Sequence, residues 1–385
     1  MAASFIPFII GFLYVLSSAA DAAIQYHDFV VQETPVKHGI LQLGTPWANG
    51  PDRITQWLRA TVYGALVIHP KFGSSYPFPV PKLEIPILLG QWWNGDIISI
   101  LNQATFSGGA SNVSNAYTIN GQPGDLYRCS RNDTMRFYVE SGDRILPRVI
   151  NSTLNQQLFF TIGNHKLTVV GVDALYVKPF TTTTIMLGHG QTTDVILVAD
   201  QAPGYYYMAA CAYESAQNAP FDGSTTTTIL ALPDYNDSAT VTAFTSQLKS
   251  PSKVEVPTFI TEDLFFAIGL GLVNCNPGPT CQGPNNTRFA ASMNNVSFVL
   301  PQTISLLQAH YQNIPNVFTT DFPHVPPLPF DYTSIRFVAN NPGVWLMHCH
   351  IDSHLTWGFA MSFLVENEPR KLESIEAPPL DLPPC

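Results

Sequence analysis

The feature that most constrains the fold is a succession of short apolar runs separated by Pro, Gly and Asn. Clear examples lie at residues 86–89, 158–162, 167–170 and 193–198. Such runs have the length of strands, whereas no long amphipathic helical pattern stands out. The 32 prolines among 385 residues also act against long helices. The sequence therefore predicts an all-β protein built from Greek-key β-sandwiches.

The length of the chain is sufficient for two or three domains. We expect one complete β domain over residues 79–235 and another, incomplete, over residues 253–385. The stretch 236–252 between them is polar and rich in Ser and Thr, which predicts a linker. Residues 24–78 are too few for a sandwich of their own.

The beginning of the chain predicts export. Residues 5–16 are almost wholly apolar, and Ala20-Asp21-Ala22 provides a cleavage site of the small-x-small type. We therefore expect a signal peptide over residues 1–22 and a secreted protein. The alternative is a membrane anchor, but about 12 apolar residues are too few to span a bilayer. No later stretch predicts a transmembrane helix or a membrane partner.

Two further patterns agree with an oxidising, extracellular compartment. Cys275 and Cys281 flank Asn276-Pro277-Gly278, which favours a short-loop disulfide, whereas Cys211 is interpreted as a buried structural thiol. The sequence also contains six Asn-x-Ser/Thr glycosylation sequons. Their asparagines are Asn112, Asn132, Asn151, Asn236, Asn285 and Asn295.

The charge balance argues against partners with a strongly anionic surface. The net charge is −10, and the sequence contains no basic run. A protein of this kind lacks the electrostatic footprint that nucleic acid or an anionic membrane surface requires.

The segment His348-Cys349-His350-Ile351-Asp352-Ser353-His354 contains candidate metal ligands. On a strand, Cys349 points to one face while His348 and His350 point to the other, so the three side chains can serve two metal centres. A soft thiolate with imidazole suits copper in a His2Cys site with a weak axial ligand. His354 lies just past the strand and can turn back to join Cys349. The alternatives are a structural zinc site or ordinary core histidines.

This segment, continued through Leu355-Thr356-Trp357-Gly358-Phe359-Ala360-Met361, resembles the last copper motif of plant laccases. The likeness extends over nearly the whole chain. It includes residues 26–30, 57–65, 90–94, 117–124, 291–298 and 381–385. The resemblance implies three tandem cupredoxin-like domains, of which residues 24–78 are a remnant of the first. It also implies a copper oxidase that oxidises phenols, such as lignin or its precursors, and reduces dioxygen to water. The resemblance further implies a protein of the apoplast, and we expect a monomer.

The resemblance assigns roles to individual residues. Cys349 and His354 match ligands of the type 1 copper, where electrons enter, and Phe359 occupies its axial position without a donor atom. By the axial-ligand rule this favours a higher reduction potential. His348 and His350 match ligands of the type 3 copper pair. His38 looks like a third such ligand, although an ordinary surface histidine is an equally good interpretation.

The sequence departs from the family pattern at three places. The first motif keeps only His38, the second His-x-His is missing before Trp57, and the third is missing after Tyr332. Four of ten ligand histidines and the cysteine are therefore matched, so we expect fewer than the family's four coppers, or none. The other histidines lack ligand spacing and are interpreted as ordinary residues. They are His27, His69, His165, His189, His310 and His324.

Three hypotheses follow. The first is a secreted laccase-type oxidase. The second is a shortened, catalytically inactive relative, arising as a splice form, a gene-model error or a pseudo-enzyme. The third is a simple blue-copper electron carrier, which lacks a second histidine of suitable spacing for Cys349.

Overall fold

The computed structural model describes a defined part of the chain. It comprises residues 58–71, 73–107, 114–124, 134–213, 232–276, 278, 281, 283–299, 301, 304–318, 334–367 and 374–375. Several predictions concern residues outside these ranges. They are the signal peptide, His27, His38, Asn112, Asn132 and His324.

The strands fall into two groups along the chain. The first group consists of β1 (Leu83–Trp92), β2 (Ala116–Ile119), β3 (Arg144–Asn151), β4 (Gln157–Ile162), β5 (Leu167–Val172), β6 (Leu175–Thr182), β7 (Thr184–Leu187), β8 (Thr192–Val198) and β9 (Met208–Tyr213). The second group consists of β10 (Ile268–Asn274), β11 (Thr287–Met293), β12 (Gly343–His348) and β13 (Ala360–Val365). Four helices accompany them within the described ranges. They are α1 (Ile97–Ser107), α2 (Ser238–Thr245), α3 (Leu306–Tyr311) and α4 (Asp352–Thr356).

The first group forms two sheets. One has six strands in the order β2-β1-β3-β8-β5-β6, and the other has three in the order β7-β4-β9. Most neighbours are antiparallel, but β1 and β3 run parallel, with Leu83 beside Ile145 and Leu89 beside Asn151. A parallel pair cannot be joined by a tight hairpin, so the chain travels through β2 and the following residues before it returns as β3.

The two sheets of the first group enclose one apolar core. Ile85, Ile87 and Leu89 alternate along β1 and point to the same face, as a half-buried strand requires. Phe159 and Phe160 of β4 are completely buried in the same cluster. The sheets therefore pack as a β-sandwich, hereafter called the sandwich, which is formed by strands β1 to β9.

Helix α2 corrects the prediction of a linker over residues 236–252. Asp237 caps the helix by accepting a hydrogen bond from the backbone N–H of Thr240 at 2.9 Å. Phe244 is buried in the sandwich core, and Val241 and Leu248 pack beside it. This part of the predicted linker is a helix that packs against the sandwich, because its apolar residues recur at helical spacing.

The second group forms two hairpins. Strands β10 and β11 pair antiparallel, and so do β12 and β13. Strand β10 is exposed along almost its whole length, with Leu270 55% and Leu272 50% accessible. Each hairpin is a two-stranded sheet within the part of the chain that the structure describes.

The helices of the described ranges are short. None of them combines the length and apolar character that crossing a membrane requires.

Candidate metal centre

The hairpin β12–β13 holds the His-Cys-His segment. His348 ends β12 opposite Ala360, and the N–H of Cys349 donates to the carbonyl of Phe359 at 3.1 Å, which extends the ladder by one pair. Helix α4 fills the connection between the strands. At its end, Gly358 has φ +103°, and a Cβ there would lie 2.8 Å from the Cβ of Ser297. A glycine is required at this position by both backbone conformation and close packing.

Helix α4 returns His354 to Cys349. The N–H of His354 donates to Ile351 O at 3.0 Å, and the N–H of Phe359 donates to His354 O at 2.9 Å. As a result, Nδ1 of His354 lies 3.3 Å from Sγ of Cys349. The ring of Phe359 lies 6.3 Å from the ring of His354 and supplies no donor atom. The structure thus brings together the two side chains for which the sequence predicts a shared metal.

His348 and His350 flank Cys349 in the sequence and have contacts of their own. Their ring centroids are 5.9 Å from each other. His350 is half-buried and its Nδ1 lies 3.2 Å from the carbonyl oxygen of Leu154, whereas His348 is exposed and its Nδ1 lies 3.0 Å from the carbonyl oxygen of Cys349. Since a carbonyl oxygen only accepts, each Nδ1 carries the hydrogen and donates it.

The contact with Leu154 attaches the hairpin to the rim of the sandwich. Leu154 belongs to the loop between β3 and β4, and Asn151 at the end of β3 holds this loop. Its amide nitrogen donates to Gln156 O at 2.9 Å and to Leu187 O at 3.1 Å. Its side-chain oxygen accepts from the N–H and the hydroxyl of Thr153, at 3.0 and 2.7 Å. Asn151 therefore ties the loop that receives His350 to the end of β7.

This role corrects one predicted glycosylation site. Asn151 is completely buried, and the nitrogen that a glycan would occupy donates two hydrogen bonds. A glycan on this nitrogen is incompatible with the packing. Asn236, Asn285 and Asn295 are exposed, and their glycosylation stays a prediction.

His189 is a residue that sequence reasoning missed. It lies in the turn 188–191 before β8, and its ring centroid is 4.4 Å from that of His350 at an interplanar angle of 67°. Burial first, and then the neighbouring His350 and His348, lower the pKa of His189 to about 4. Its Nδ1 is inaccessible and has no hydrogen-bond partner among the described residues. No spacing signal could have revealed this contact, because the two histidines come from distant parts of the chain.

Turn 188–191 is fixed by backbone bonds. Gly190 N donates to Asn151 O at 2.8 Å, and Asn151 N donates to Gln191 O at 2.9 Å. Gly190 has φ +80°, and a Cβ at this position would lie 3.2 Å from Nε2 of His350. The left-handed backbone and the close approach together favour glycine, and Nε2 of His350 faces this turn.

The remaining described histidines lie elsewhere. His165 is buried, with its Nδ1 2.6 Å from Gly163 O, and His69 is exposed beside Tyr76 and Glu84. His310 lies in α3 next to Tyr311. These contacts agree with ordinary structural roles.

The described cysteines form one disulfide and include two free thiols, Cys211 and Cys349. Cys275 and Cys281 form a disulfide, which confirms that expectation. Cys211 is a free thiol packed against the sandwich core, and burial, followed by the charge of Asp234, raises its pKa to about 11. A thiol with this pKa is not a reactive thiolate at neutral pH.

The described residues fit only part of the copper complement of the family. Cys349 and His354 offer a thiolate and an imidazole close together, which suits one copper ion. No preformed group of three or more metal-binding side chains exists within the described ranges. A trinuclear cluster therefore does not fit these residues, and we derive no step through one.

Comparison with known proteins identifies the class. Two parts of the chain, residues 84–232 and 308–369, match family models that are both described as multicopper oxidase. Laccase-13 of Arabidopsis thaliana is 43% identical, with 98% of this chain and 99% of the relative covered. Laccase-3 of the same plant is 46% identical, with 90% and 85% covered. The chain belongs to the laccase family of multicopper oxidases.

A solved structure gives a weaker likeness. The laccase from Botrytis aclada has a TM-score of 0.48 and 18% identity, with 74% of this chain and 64% of that chain covered.

The alignment with Laccase-13 also shows internal shortening. It runs over 566 residues, although this chain has 385. The relative thus contains segments that have no counterpart here. The predictions of a shortened plant laccase and of an all-β, cupredoxin-like fold are confirmed.

Proposed function

We propose that this chain is a secreted laccase-type oxidase that oxidises small phenolic substrates, lignin or its precursors, and reduces dioxygen to water. The observation that carries the proposal is the proximity of Cys349 and His354, 3.3 Å apart, within a chain of the laccase family. The proposed location is the extracellular space, and the proposed assembly is a monomer.

Cys349 and His354 are the residues that would hold copper at the site of electron entry. A copper ion bound there would accept one electron from a phenol. The protein contributes the connection α4, which holds the imidazole against the thiol, and the nearby apolar ring of Phe359, which would offer a bound copper no donor atom. A site without a strong axial donor favours the reduced metal and so a higher reduction potential.

The direct test measures copper content and oxygen uptake on the purified protein. The laccase mechanism requires about four coppers per chain and oxygen consumption with a simple diphenol. The Cys349→Ser variant is the control, because it removes the thiolate and should abolish any copper-dependent oxidation. Fewer than four coppers without oxygen uptake would rule out the family reaction for this chain.

A second candidate is a shortened laccase relative without oxidase activity. It is favoured by the internal gaps against Laccase-13 and by the poor fit of the described residues to a trinuclear cluster. Four-electron reduction of dioxygen needs several metal ions held together, and an incomplete set leaves coordination positions open to water or other metals.

Sequencing the native transcript distinguishes the two candidates, because it shows whether the missing segments are encoded. A transcript that restores the missing His-x-His segments would discard the second candidate and assign the losses to the gene model. A transcript identical to the present sequence, together with the copper and oxygen measurements above, would support it.

A further inference from the structure

Two Asn-Gly dipeptides lie in the part of the chain that the structure describes. They are Asn94-Gly95 and Asn120-Gly121. An asparagine before a glycine is chemically labile, because the backbone nitrogen of the next residue can attack the side-chain amide carbon, and glycine has no Cβ to hinder the approach. The sequence makes the two dipeptides equally labile, but the fold gives them different surroundings.

Asn94-Gly95 lies in the bend between β1 and α1, and Asn94 is exposed. Its Oδ1 accepts a hydrogen bond from the indole Nε1–H of Trp92 at 2.9 Å. Neither its Nδ2 nor the backbone N–H of Gly95 donates a hydrogen bond to another described residue. The attacking nitrogen and the departing amide nitrogen are therefore both free of competing bonds within the described ranges.

The hydrogen bond from Trp92 favours attack on the side chain of Asn94. Negative charge develops on Oδ1 when a nitrogen adds to Cγ, and a donor already placed at this oxygen stabilises the charge. The indole N–H is such a donor.

The side chain of Asn120 is held from both ends. Its Oδ1 accepts from the N–H of Leu88 at 2.7 Å, and its Nδ2 donates to the carbonyl oxygen of Pro86 at 3.2 Å and lies 3.3 Å from Sδ of Met135. Asn120 is also half-buried. Attack by the nitrogen of Gly121 requires the amide group to turn and Nδ2 to leave, which breaks these bonds, so the fold protects this dipeptide.

We propose that Asn94-Gly95 is a site of deamidation in the folded protein. The backbone nitrogen of Gly95 loses its proton and bonds to Cγ of Asn94, the Cγ–Nδ2 bond breaks, and Nδ2 leaves as ammonia. Water then opens the resulting cyclic imide at either of its two carbonyl carbons, which gives aspartate or isoaspartate. Nothing is oxidised or reduced, and the reaction is independent of the proposed oxidase function.

The position of this turn gives the modification a structural consequence. Gly95 lies between Trp93 and Ile97, and both of these residues pack with Leu154 in one apolar cluster. The carbonyl oxygen of Leu154 in turn contacts Nδ1 of His350. Deamidation adds a negative charge here, and isoaspartate also lengthens the backbone beside the loop that receives His350.

The test is incubation of the purified, folded protein in mildly alkaline buffer, which speeds removal of the proton from the attacking nitrogen. Peptide mapping by mass spectrometry follows the replacement of –NH2 by –OH at both dipeptides, and labelling by an isoaspartate methyltransferase detects the rearranged product. We expect Asn94 to deamidate several times faster than Asn120. In the denatured chain the two rates should become similar, because the hydrogen bonds of Asn120 are lost.

The decisive variant is Gly95→Ala. Gly95 does not have a positive φ, and a Cβ there would lie 3.5 Å from Cδ1 of Ile100, an ordinary contact, so the turn accepts alanine. The added methyl group hinders the attack and should slow deamidation of Asn94 severalfold, while Asn120 serves as the unchanged internal control. Circular dichroism and melting check that the variant folds.

Asn94→Gln serves the same purpose if Gly95→Ala is unstable, because the longer side chain would have to close a larger ring and should stay unmodified. An equal or faster rate at Asn120 in the folded protein would overturn the proposal. So would an unchanged rate at Asn94 in Gly95→Ala, or a ratio of the two rates that is the same in the folded and the denatured chain.

Discussion

The sandwich and the hairpin β10–β11 contain similar strands in opposite environments. In β4, five of six residues are buried, whereas in β10 six of seven are exposed. Leu158 of β4 is completely buried, but Leu272 of β10 is half accessible. The difference teaches that an apolar strand contributes to stability only where a second sheet covers it.

The largest contrast is expected from a core substitution. Phe160→Ala should reduce the free energy of unfolding of the sandwich by about 3–5 kcal/mol, because it leaves a cavity in a closed core. Leu272→Ala on the exposed strand should change it by less than about 0.5 kcal/mol. Denaturant unfolding of both variants measures the contrast. Equal losses would show that β10 is covered in solution.

Asn151→Ala tests whether this side chain stabilises the loop between β3 and β4 against the end of β7. Loss of the buried amide leaves the carbonyls of Gln156 and Leu187 without this donor, and we expect a destabilisation of about 2–3 kcal/mol. The matched control is Asn236→Ala, which changes an exposed sequon asparagine and should leave stability nearly unchanged. Thermal unfolding distinguishes the two, and a neutral Asn151→Ala would contradict the role assigned to this side chain.

The disulfide gives a test confined to the second group of strands. Replacing Cys275 and Cys281 by Ser should destabilise the hairpin β10–β11 by about 2 kcal/mol, since the bond closes a short loop. Hydrogen exchange should accelerate in β10 and β11 and stay unchanged in β4. Faster exchange throughout the sandwich would mean that the two regions unfold as one.

The smallest expected effect is a change in how stability depends on pH in the alkaline range. Burial and the hydrogen bond to Glu84 raise the pKa of Tyr76 from 10.0 to about 12, so its neutral form is favoured in the folded protein. The resulting stability is complete below pH 10 and is lost as the pH rises through about 12. Tyr76→Phe should flatten this decline relative to the unmodified protein. Tyrosinate absorbance and unfolding measurements across this range check it, and parallel pH profiles would refute the assignment.

The sequence predicts local features of the fold well. The apolar runs at residues 158–162, 167–170 and 193–198 lie in β4, β5 and β8. The alternation and length of these runs are properties of the local sequence, so they predict strands without any knowledge of the tertiary structure. Helix α2 was missed because it is only eight residues long, and its burial depends on a contact between Phe244 and the distant strand β6.

The contacts of the candidate site also differ in whether the sequence could predict them. Cys349 and His354 are five positions apart, so a single turn of helix brings them together and the sequence predicts their contact. His350 and Leu154 are 196 positions apart, and the approach of His189 depends on the same docking. Such contacts follow from tertiary packing and leave no spacing pattern. The buried Asn151 is a comparable case, since a sequon carries no information on burial.

The parallel pairing of β1 with β3 has a consequence for synthesis of the chain. Strand β1 leaves the ribosome first, but its neighbour β3 begins only at Arg144, and β3 in turn pairs with β8, which ends at Val198. The apolar face of β1 must therefore wait for more than half of the sandwich to be translated. Pairing over such sequence separations is slow. During that interval the nascent strand depends on chaperones or on its own local structure to avoid wrong partners.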